Sequence, residues 1–213
     1  ELNEIDGHRT EKESVMVDLY QVLKATKVEL VTDEVVKVDK EKQLVVSERT
    51  SYEYDYLVLG VGSEPAFFGV PGVKENGFTI WSLKDALKIR HHIEDVFRRA
   101  REEKDPVKRK KLLTIIVAGS GFTGVEVVGE LMEWKKLLCA QHDIPESEVS
   151  LYNIEAMPNI LPILKPNLQE KAKRFMEKNG VKVLTGSAIV NATEDGIELK
   201  DGTRIDTDTL IWT

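Results

Sequence analysis

The sequence predicts an α/β fold built on a parallel sheet. Apolar runs of strand length alternate with amphipathic helical segments through the second half of the chain. Leu112–Ala118, Val149–Glu155 and Val181–Leu184 have the length and composition of strands, and helices are predicted to about Leu138 and over Pro166–Asn179. Strand runs without polar alternation are typical of a parallel sheet that is covered on both faces, with right-handed crossovers through the helices.

Composition narrows the class of protein. The 213 residues suit one or two domains, and the apolar (41%) and charged (31%) fractions are ordinary for a soluble globular protein. The net charge of −7 argues against nucleic-acid binding, and we interpret the basic run Lys108–Lys111 as a solvated connector. The single cysteine, Cys139, excludes an internal disulfide, and its place near a helix end indicates packing. Without a signal peptide or a bilayer-length apolar run, the predicted location is cytoplasmic.

The first third of the chain is predicted to form short strands. Three segments are Val-rich and separated by charged residues: Thr26–Val31, Val35–Asp39 and Gln43–Ser47. A fourth, Tyr52–Gly60, ends in the apolar run Tyr56–Leu59, which predicts a strand buried on both faces.

Helix ends are marked by local signals. Ser82 and Asp85 have the spacing of a capping box, so a long helix is expected from Ser82, fading by Pro106. Gly180 is the expected stop of the Pro166–Asn179 helix, whose packed face is predicted to carry Leu168, Ala172, Phe175 and Met176. Asp195-Gly196 and Asp201-Gly202 bracket a short hairpin strand, Ile197–Lys200. The predicted fold is a Rossmann-like parallel sheet with a β-meander.

The glycine-rich run Gly119-Ser120-Gly121-Phe122-Thr123-Gly124 lies between a predicted strand and a predicted helix. In this context Gly119 makes the tight turn, Gly121 lets a pyrophosphate approach the backbone, and Gly124 lets the helix pack close to the strand. Gly129 is predicted to be a second close-packing position. The run therefore predicts a Rossmann-type unit that binds NAD(H); the alternative is a turn that binds nothing.

Glu155 ends the second predicted strand, where such sites hold the adenosine ribose. It is farther from the glycines than the usual roughly 20 residues, and the polar stretch Lys135–Ser147 accounts for the extra length. A carboxylate repels a 2′-phosphate, so Glu155 favours NAD over NADP. The alternative is a strand-end carboxylate in solvent.

Other titratable residues are weaker candidates. Glu126 and Glu130 lie in the first turns of the helix, where the dipole favours acids; Glu126 is the candidate for the nicotinamide end. We interpret His91 and His92 as a solvated helix face, without metal-ligand spacing. No metal site is predicted.

Taken together, these residues resemble the type II NADH dehydrogenases (NADH:quinone oxidoreductases), within the pyridine nucleotide-disulfide oxidoreductase superfamily of flavoproteins. The segment Tyr54–Ser63 is similar to that family's second FAD-contacting motif, and Phe68–Val73 to the connector after it. Gly119–Glu130, Ile160–Pro162 and Leu210–Thr213 also match family motifs.

The resemblance implies that NADH passes a hydride to FAD, which then reduces a quinone or another acceptor. Glu126 would lie near the nicotinamide–flavin contact and Gly60 and Gly62 beside the FAD. The implied partners are NADH and the acceptor; a homodimer is allowed, and any peripheral membrane attachment is assigned to a C-terminal region beyond Thr213.

Departures from the family pattern predict that the chain is an internal piece of such a protein. No FAD-binding glycine loop precedes Leu2, and Gly60-Val61-Gly62 replaces the usual Ala-Thr-Gly. We therefore expect residues 1–64 to be a remnant of the FAD domain and residues 65–213 to be the NAD(H)-binding domain, without bound FAD and with little dehydrogenase activity. Two alternatives stay open: another FAD-dependent reductase (ferredoxin, peroxide or nitrite type) and a non-catalytic NAD(H)-binding module.

Overall fold

The computed structural model describes residue 2 and residues 16–213. These residues fall into two compact units, Met16–Glu64 and Pro65–Thr213. The described residues of the first unit form one sheet, and those of the second unit form two.

The unit Met16–Glu64 contains a short helix and an antiparallel sheet. The helix, α1 (Leu19–Leu23), begins at Asp18, whose carboxylate accepts hydrogen bonds from two first-turn amides. The strands β1 (Val35–Asp39), β2 (Leu44–Ser47) and β3 (Ser51–Glu53) pair in that order. Two of the predicted strands, Val35–Asp39 and Gln43–Ser47, are therefore confirmed.

The prediction of a strand over Thr26–Val31 is wrong. The Thr26 amide and hydroxyl both donate to the carbonyl of Leu23, and the Thr26 hydroxyl accepts from the amide of Val28. These local bonds close a turn after α1, and residues 28–34 have no strand assignment.

The prediction of a doubly buried strand over Tyr56–Leu59 is also wrong. Regular strand ends at Glu53, and Tyr56 and Val58 are 94% and 90% exposed. A strand has to pair with a neighbour to join a covered sheet, and none of the described strands pairs with this segment.

The unit Pro65–Thr213 is an α/β domain. Its elements are α2 (Val73–Asn76), β4 (Phe78–Thr79), α3 (Leu83–Glu102), α4 (Pro106–Leu112), β5 (Thr114–Ala118), α5 (Phe122–His142), β6 (Ser150–Ile154), α6 (Pro166–Lys178), β7 (Val181–Leu184), β8 (Ile189–Thr193), β9 (Gly196–Leu199), β10 (Arg204–Asp206) and β11 (Thr209–Trp212). Five strands form a parallel sheet in the order β4-β11-β5-β6-β7. The strands β8, β9 and β10 form the predicted meander.

The parallel sheet separates two hydrophobic cores, because successive side chains of a strand point to opposite faces. Ile115 and Val117 of β5 pack with the residues of α3 and α5. Ile116 and Ala118 pack in the second core, with the apolar residues of the meander. All five residues of β5 are buried, which confirms the predicted doubly covered strand. The predicted fold class, a Rossmann-like parallel sheet with a β-meander, is thus confirmed.

The helix α3 begins where the sequence predicts. The Ser82 hydroxyl accepts from the Asp85 amide at 3.2 Å, and the Asp85 carboxylate accepts from the Ser82 amide at 3.2 Å. This reciprocal pair is the predicted capping box.

The basic run Lys108–Lys111 is not a connector but part of the helix α4. Asp105 caps α4 and Pro106 occupies its first turn, so the proline starts a new helix. Leu112, predicted as the first residue of the strand, is the last residue of α4, and β5 begins at Thr114.

The packed face of α6 differs from its prediction. Met176 is buried and Ala172 partly so, but Leu168 and Phe175 are 44% and 59% exposed. The buried stripe of this helix is therefore narrower than its apolar positions indicate.

Candidate functional site

The candidate site is a cleft at the carboxyl ends of the parallel strands. It has a volume of about 410 Å³. Its lining comes from the strand ends of β5, β6 and β11, the glycine run, the loop after β7 and the connector before α2: Phe68, Val70, Ala118, Gly119, Ser120, Gly121, Ile154, Glu155, Ala156, Ser187, Ala188, Ile189, Trp212 and Thr213. The chain leaves β5 toward β6 on one side, whereas β11 lies on its other side. Open α/β sheets bind ligands at such a reversal of strand order.

Two glycines of the run are required by the protein's own packing. A Cβ on Gly119 would lie 2.6 Å from the Thr213 hydroxyl oxygen, and Gly119 has a φ of +104°. A Cβ on Gly124 would lie 2.2 Å from the carbonyl oxygen of Gly119. Gly124 therefore sets the distance between α5 and the end of β5, as its predicted packing role requires.

Gly121 differs because none of the described residues requires it to be glycine. A Cβ built there would meet no atom within 4 Å, and its φ of −68° suits any residue. Gly121 lines the cleft and is the N-cap of α5, with no side chain capping the helix. The first-turn amides have no intrahelical acceptor. The residues thus fit a phosphate group: open space at Gly121, uncapped amides and a positive helix end.

Glu155 lies at the end of β6 and faces the glycine run. Its carboxylate accepts from the Ser120 amide at 2.7 Å and from the Met157 amide at 2.8 Å. An ionised carboxylate has about four acceptor sites, so two remain for hydroxyl donors. The structure places Glu155 in the cleft wall, beside the glycines, despite the long separation in sequence.

Ser120 lies inward, not toward the cleft solvent. It is fully buried, and its hydroxyl donates to the side-chain oxygen of Asn153 at 2.7 Å. Asn153 is likewise fully buried, one residue before the end of β6. Asn153 carries no signal in the sequence beyond being a polar residue in an apolar strand.

The other predicted residues of the run and helix are more exposed. Phe122 is 51% exposed, and Thr123 and Glu126 are exposed in the first turns of α5 without lining the cleft. Glu130 is partly buried. The predicted packing role of Gly129 is wrong, because a Cβ there would meet no atom within 4 Å.

Several residues that line the cleft were not predicted as site residues from the sequence. Phe68 is 83% exposed at the rim and has a φ of +50°, which is rare for an aromatic residue. Trp212 donates from its indole nitrogen to the Ala66 carbonyl at 2.9 Å, which holds the connector against the end of β11. Both residues lie in segments that match family motifs, but only the fold brings these segments to one cleft.

The interpretation of His92 as solvated is wrong. Its Nε2 lies 2.9 Å from the Thr209 hydroxyl, and its ring lies 4.5 Å from that of Phe78. Burial lowers the pKa of His92, against the opposing effect of Asp208. His91 is exposed, as predicted.

Cys139 is buried as a free thiol, and burial raises its pKa. Among the described residues no group of three or more His, Cys, Asp or Glu could hold a metal ion. Nor does any described helix have both the length and the apolar character to cross a membrane.

In the unit Met16–Glu64, Gly60 and Gly62 lie in an irregular, exposed segment. A Cβ on Gly60 would meet no atom within 4 Å. Within the described part of this unit no Gly-x-Gly-x-x-Gly run follows a strand. These residues alone therefore do not form a cradle that fits FAD.

The fold and the cleft define a Rossmann-like α/β domain with the architecture of dinucleotide-binding proteins. Residues 3–213 match the family described as pyridine nucleotide-disulphide oxidoreductase. The chain belongs to this family, which confirms the resemblance found in the sequence.

Relatives and solved structures agree with this assignment. A type II NADH:quinone oxidoreductase of Staphylococcus saprophyticus is 33% identical over 99% of this chain. This chain spans about half (53%) of that relative's length. The structure of NDH2 from Plasmodium falciparum in complex with RYL-552 matches 99% of this chain and 46% of its own, with a TM-score of 0.89 and 21% identity. The same protein in complex with NADH matches 86% and 40%, with a TM-score of 0.78 and 23% identity.

Proposed function

We propose that this chain is the NADH-binding part of an FAD-dependent NADH dehydrogenase that passes electrons to a quinone. The observation that supports this most is Gly121, a glycine that none of the described residues requires, beside uncapped helix amides and the carboxylate of Glu155. Relatives named as type II NADH:quinone oxidoreductases favour quinone over ferredoxin, peroxide or nitrite as the final partner.

In this proposal, different residues bind different parts of the dinucleotide. The amides at Gly121, Phe122 and Thr123 hold the pyrophosphate at the positive end of α5, with Gly119 and Gly124 shaping the loop. Glu155 accepts from the adenosine ribose hydroxyls, and its charge disfavours a 2′-phosphate. Glu126 lies outside the cleft lining, and its proposed role is to lie near the nicotinamide–flavin contact when both cofactors are bound. When bound, the nicotinamide supplies the hydride, and the protein supplies orientation and electrostatics.

The two units take different roles in this proposal. Pro65–Thr213 is the NAD(H)-binding domain, and the preceding residues, with Gly60 and Gly62, belong to the FAD-binding domain of the whole protein. Since the described residues do not fit FAD by themselves, we propose that the chain alone purifies without flavin and has little dehydrogenase activity. A visible spectrum of the purified chain tests this, and stoichiometric flavin absorbance contradicts it.

Isothermal titration of the chain with NADH and, separately, NADPH tests the nucleotide site. We expect saturable binding with NADH clearly tighter than NADPH. Glu155→Gln should narrow that preference, because it removes the charge that repels the 2′-phosphate while keeping the side chain's size. Glu177→Gln, on the exposed surface of α6, is the matched control. The absence of binding by either nucleotide would refute the proposed site.

The location and assembly of the whole protein are separate proposals. We propose a cytoplasmic protein, peripheral on the membrane through other residues and able to form a homodimer. Sedimentation of the full-length protein with and without quinone-containing vesicles tests the membrane attachment and the homodimer.

A further inference from the structure

We propose that Asn153 is a positioning residue that holds the glycine run in its nucleotide-binding shape, acting through Ser120. The inference rests on the proposed NADH function and adds residues that do not touch the nucleotide. It starts from an unexpected position, since asparagine is depleted in strands and Asn153 is a fully buried residue of β6, one residue before the end of the strand.

Asn153 connects β6 to the turn that follows β5. Its amide nitrogen donates to the Gly119 carbonyl at 2.9 Å and to the Val117 carbonyl at 3.3 Å. Its oxygen accepts from the Ser120 hydroxyl at 2.7 Å. The two carbonyl partners identify the nitrogen end of the side chain, since only that end can donate. Asn153 therefore uses both ends of its amide on the glycine run and the strand before it.

Ser120 is held by every polar group that it has. Besides its hydroxyl bond to Asn153, its amide donates to the Glu155 carboxylate at 2.7 Å. Its carbonyl accepts from the Leu161 amide at 2.8 Å. With all of these groups engaged inside the protein, Ser120 orients the loop and leaves phosphate contacts to Gly121 and the amides after it.

This network links the two ends of the proposed nucleotide site. Ser120 is bonded to Glu155, which takes the ribose, and is followed directly by Gly121, which opens onto the pyrophosphate. The hydrogen bond between Asn153 and Ser120 thus sets the position of the helix amides relative to the Glu155 carboxylate. Preorganised groups of this kind affect affinity without touching the ligand.

The test compares ligands that differ in the pyrophosphate. Asn153→Leu keeps the branched heavy-atom skeleton and removes all three hydrogen bonds, and Ser120→Ala removes only the hydroxyl. We expect Asn153→Leu to weaken binding of NADH and ADP-ribose about tenfold or more, and Ser120→Ala to weaken it less. Adenosine, which has no phosphate, should bind the variants as it binds the native chain, within about twofold.

Thr114→Val is the control for a purely structural effect. Thr114 is also buried and donates to the Lys110 carbonyl at 2.8 Å, but it lies at the opposite end of β5 from the cleft. It should lower the melting temperature without changing the NADH-to-adenosine affinity ratio. Ser120→Ala provides the measurement if Asn153→Leu does not fold.

Each result has a defined meaning. Native binding of NADH with an unchanged ratio in the variants overturns the positioning role and leaves the proposed function standing. Equal weakening of adenosine and NADH also overturns it, because the effect is then general to the fold. If the native chain binds no NADH, the proposed function fails and this inference fails with it.

Discussion

The glycines at 121 and 124 give the sharpest separation of binding from folding. Gly124, like Gly119, is required by the protein's own packing, whereas Gly121 is required by none of the described residues. Substituting Gly121 and Gly124 separately by alanine should therefore produce opposite phenotypes. Gly121→Ala should fold and lose NADH binding, whereas Gly124→Ala should lose stability.

The magnitudes follow from the geometry around each Cβ. At Gly124 the new carbon would lie 2.2 Å from the Gly119 carbonyl oxygen and 2.8 Å from the Thr213 hydroxyl, so α5 must move away from β5. Overpacking of this kind costs about 1–3 kcal/mol. At roughly 2–4 °C per kcal/mol for a chain of this size, the melting temperature should fall by about 2–12 °C.

At Gly121 the opposing effects nearly cancel. Alanine is a poorer N-cap than glycine, but it lowers the entropy of the unfolded chain by about 0.4–1 kcal/mol. The melting temperature should stay within about 2–4 °C of the native value, a change of no more than about 1 kcal/mol. The added methyl group occupies the space through which the pyrophosphate approaches, so NADH affinity should fall at least about tenfold, or 1.4 kcal/mol.

Thermal unfolding, monitored by circular dichroism, measures the change in melting temperature. Titration calorimetry with NADH measures the change in affinity on the same preparations. Native affinity in Gly121→Ala would refute the reasoning, because the free space would then serve no ligand. A native melting temperature in Gly124→Ala would show that the helix does not pack against Gly119 as the structure places it.

Three further changes test separate features. Gly129→Ala should raise the free energy of unfolding by about 0.5–1 kcal/mol in denaturant titrations, because a helical Cβ there meets nothing; a loss of stability would reveal a contact at this position. Because burial lowers the pKa of His92, the unfolded chain binds that proton more readily, so stability should fall as pH drops through about 6.5. His92→Gln should reduce the loss of melting temperature between pH 7 and pH 5, and the exposed His91→Gln should not; equal slopes would contradict this. Phe68→Gly should keep or raise the melting temperature, since relief of about 1–3 kcal/mol of backbone strain offsets a glycine entropy cost of about 0.5–1 kcal/mol. It should also weaken NADH binding measured by calorimetry, because the ring lines the cleft; stability loss with native affinity would reverse its assigned role.

Much of the larger unit could be predicted from local patterns. The buried strand before Gly119, the capping box at Ser82 and the meander between the two Asp-Gly turns are short-range features, set by residues a few positions apart. Such features depend on backbone geometry and local hydrogen bonds, which a sequence displays directly.

Local patterns failed where burial depends on neighbours. Tyr56–Leu59 has the composition of a buried strand, yet no described strand pairs with it. His92 has a polar sequence context but packs against Phe78 at the sheet edge. Helix and strand periodicity identify which residues can be buried, whereas partners far along the chain decide which residues are buried.

The glycine run, the strand and helix on either side of it, and the acidic residue at the next strand end can all be identified from local sequence. How these parts act together depends on the fold. Parallel pairing of β5 with β6 brings Ser120 to Asn153, 33 residues away in sequence, and to Glu155, 35 residues away. Parallel pairing of β5 with β11 brings Thr213 to Gly119. Strand register sets these contacts, and register is a property of the whole sheet and its two cores, so no local pattern contains it.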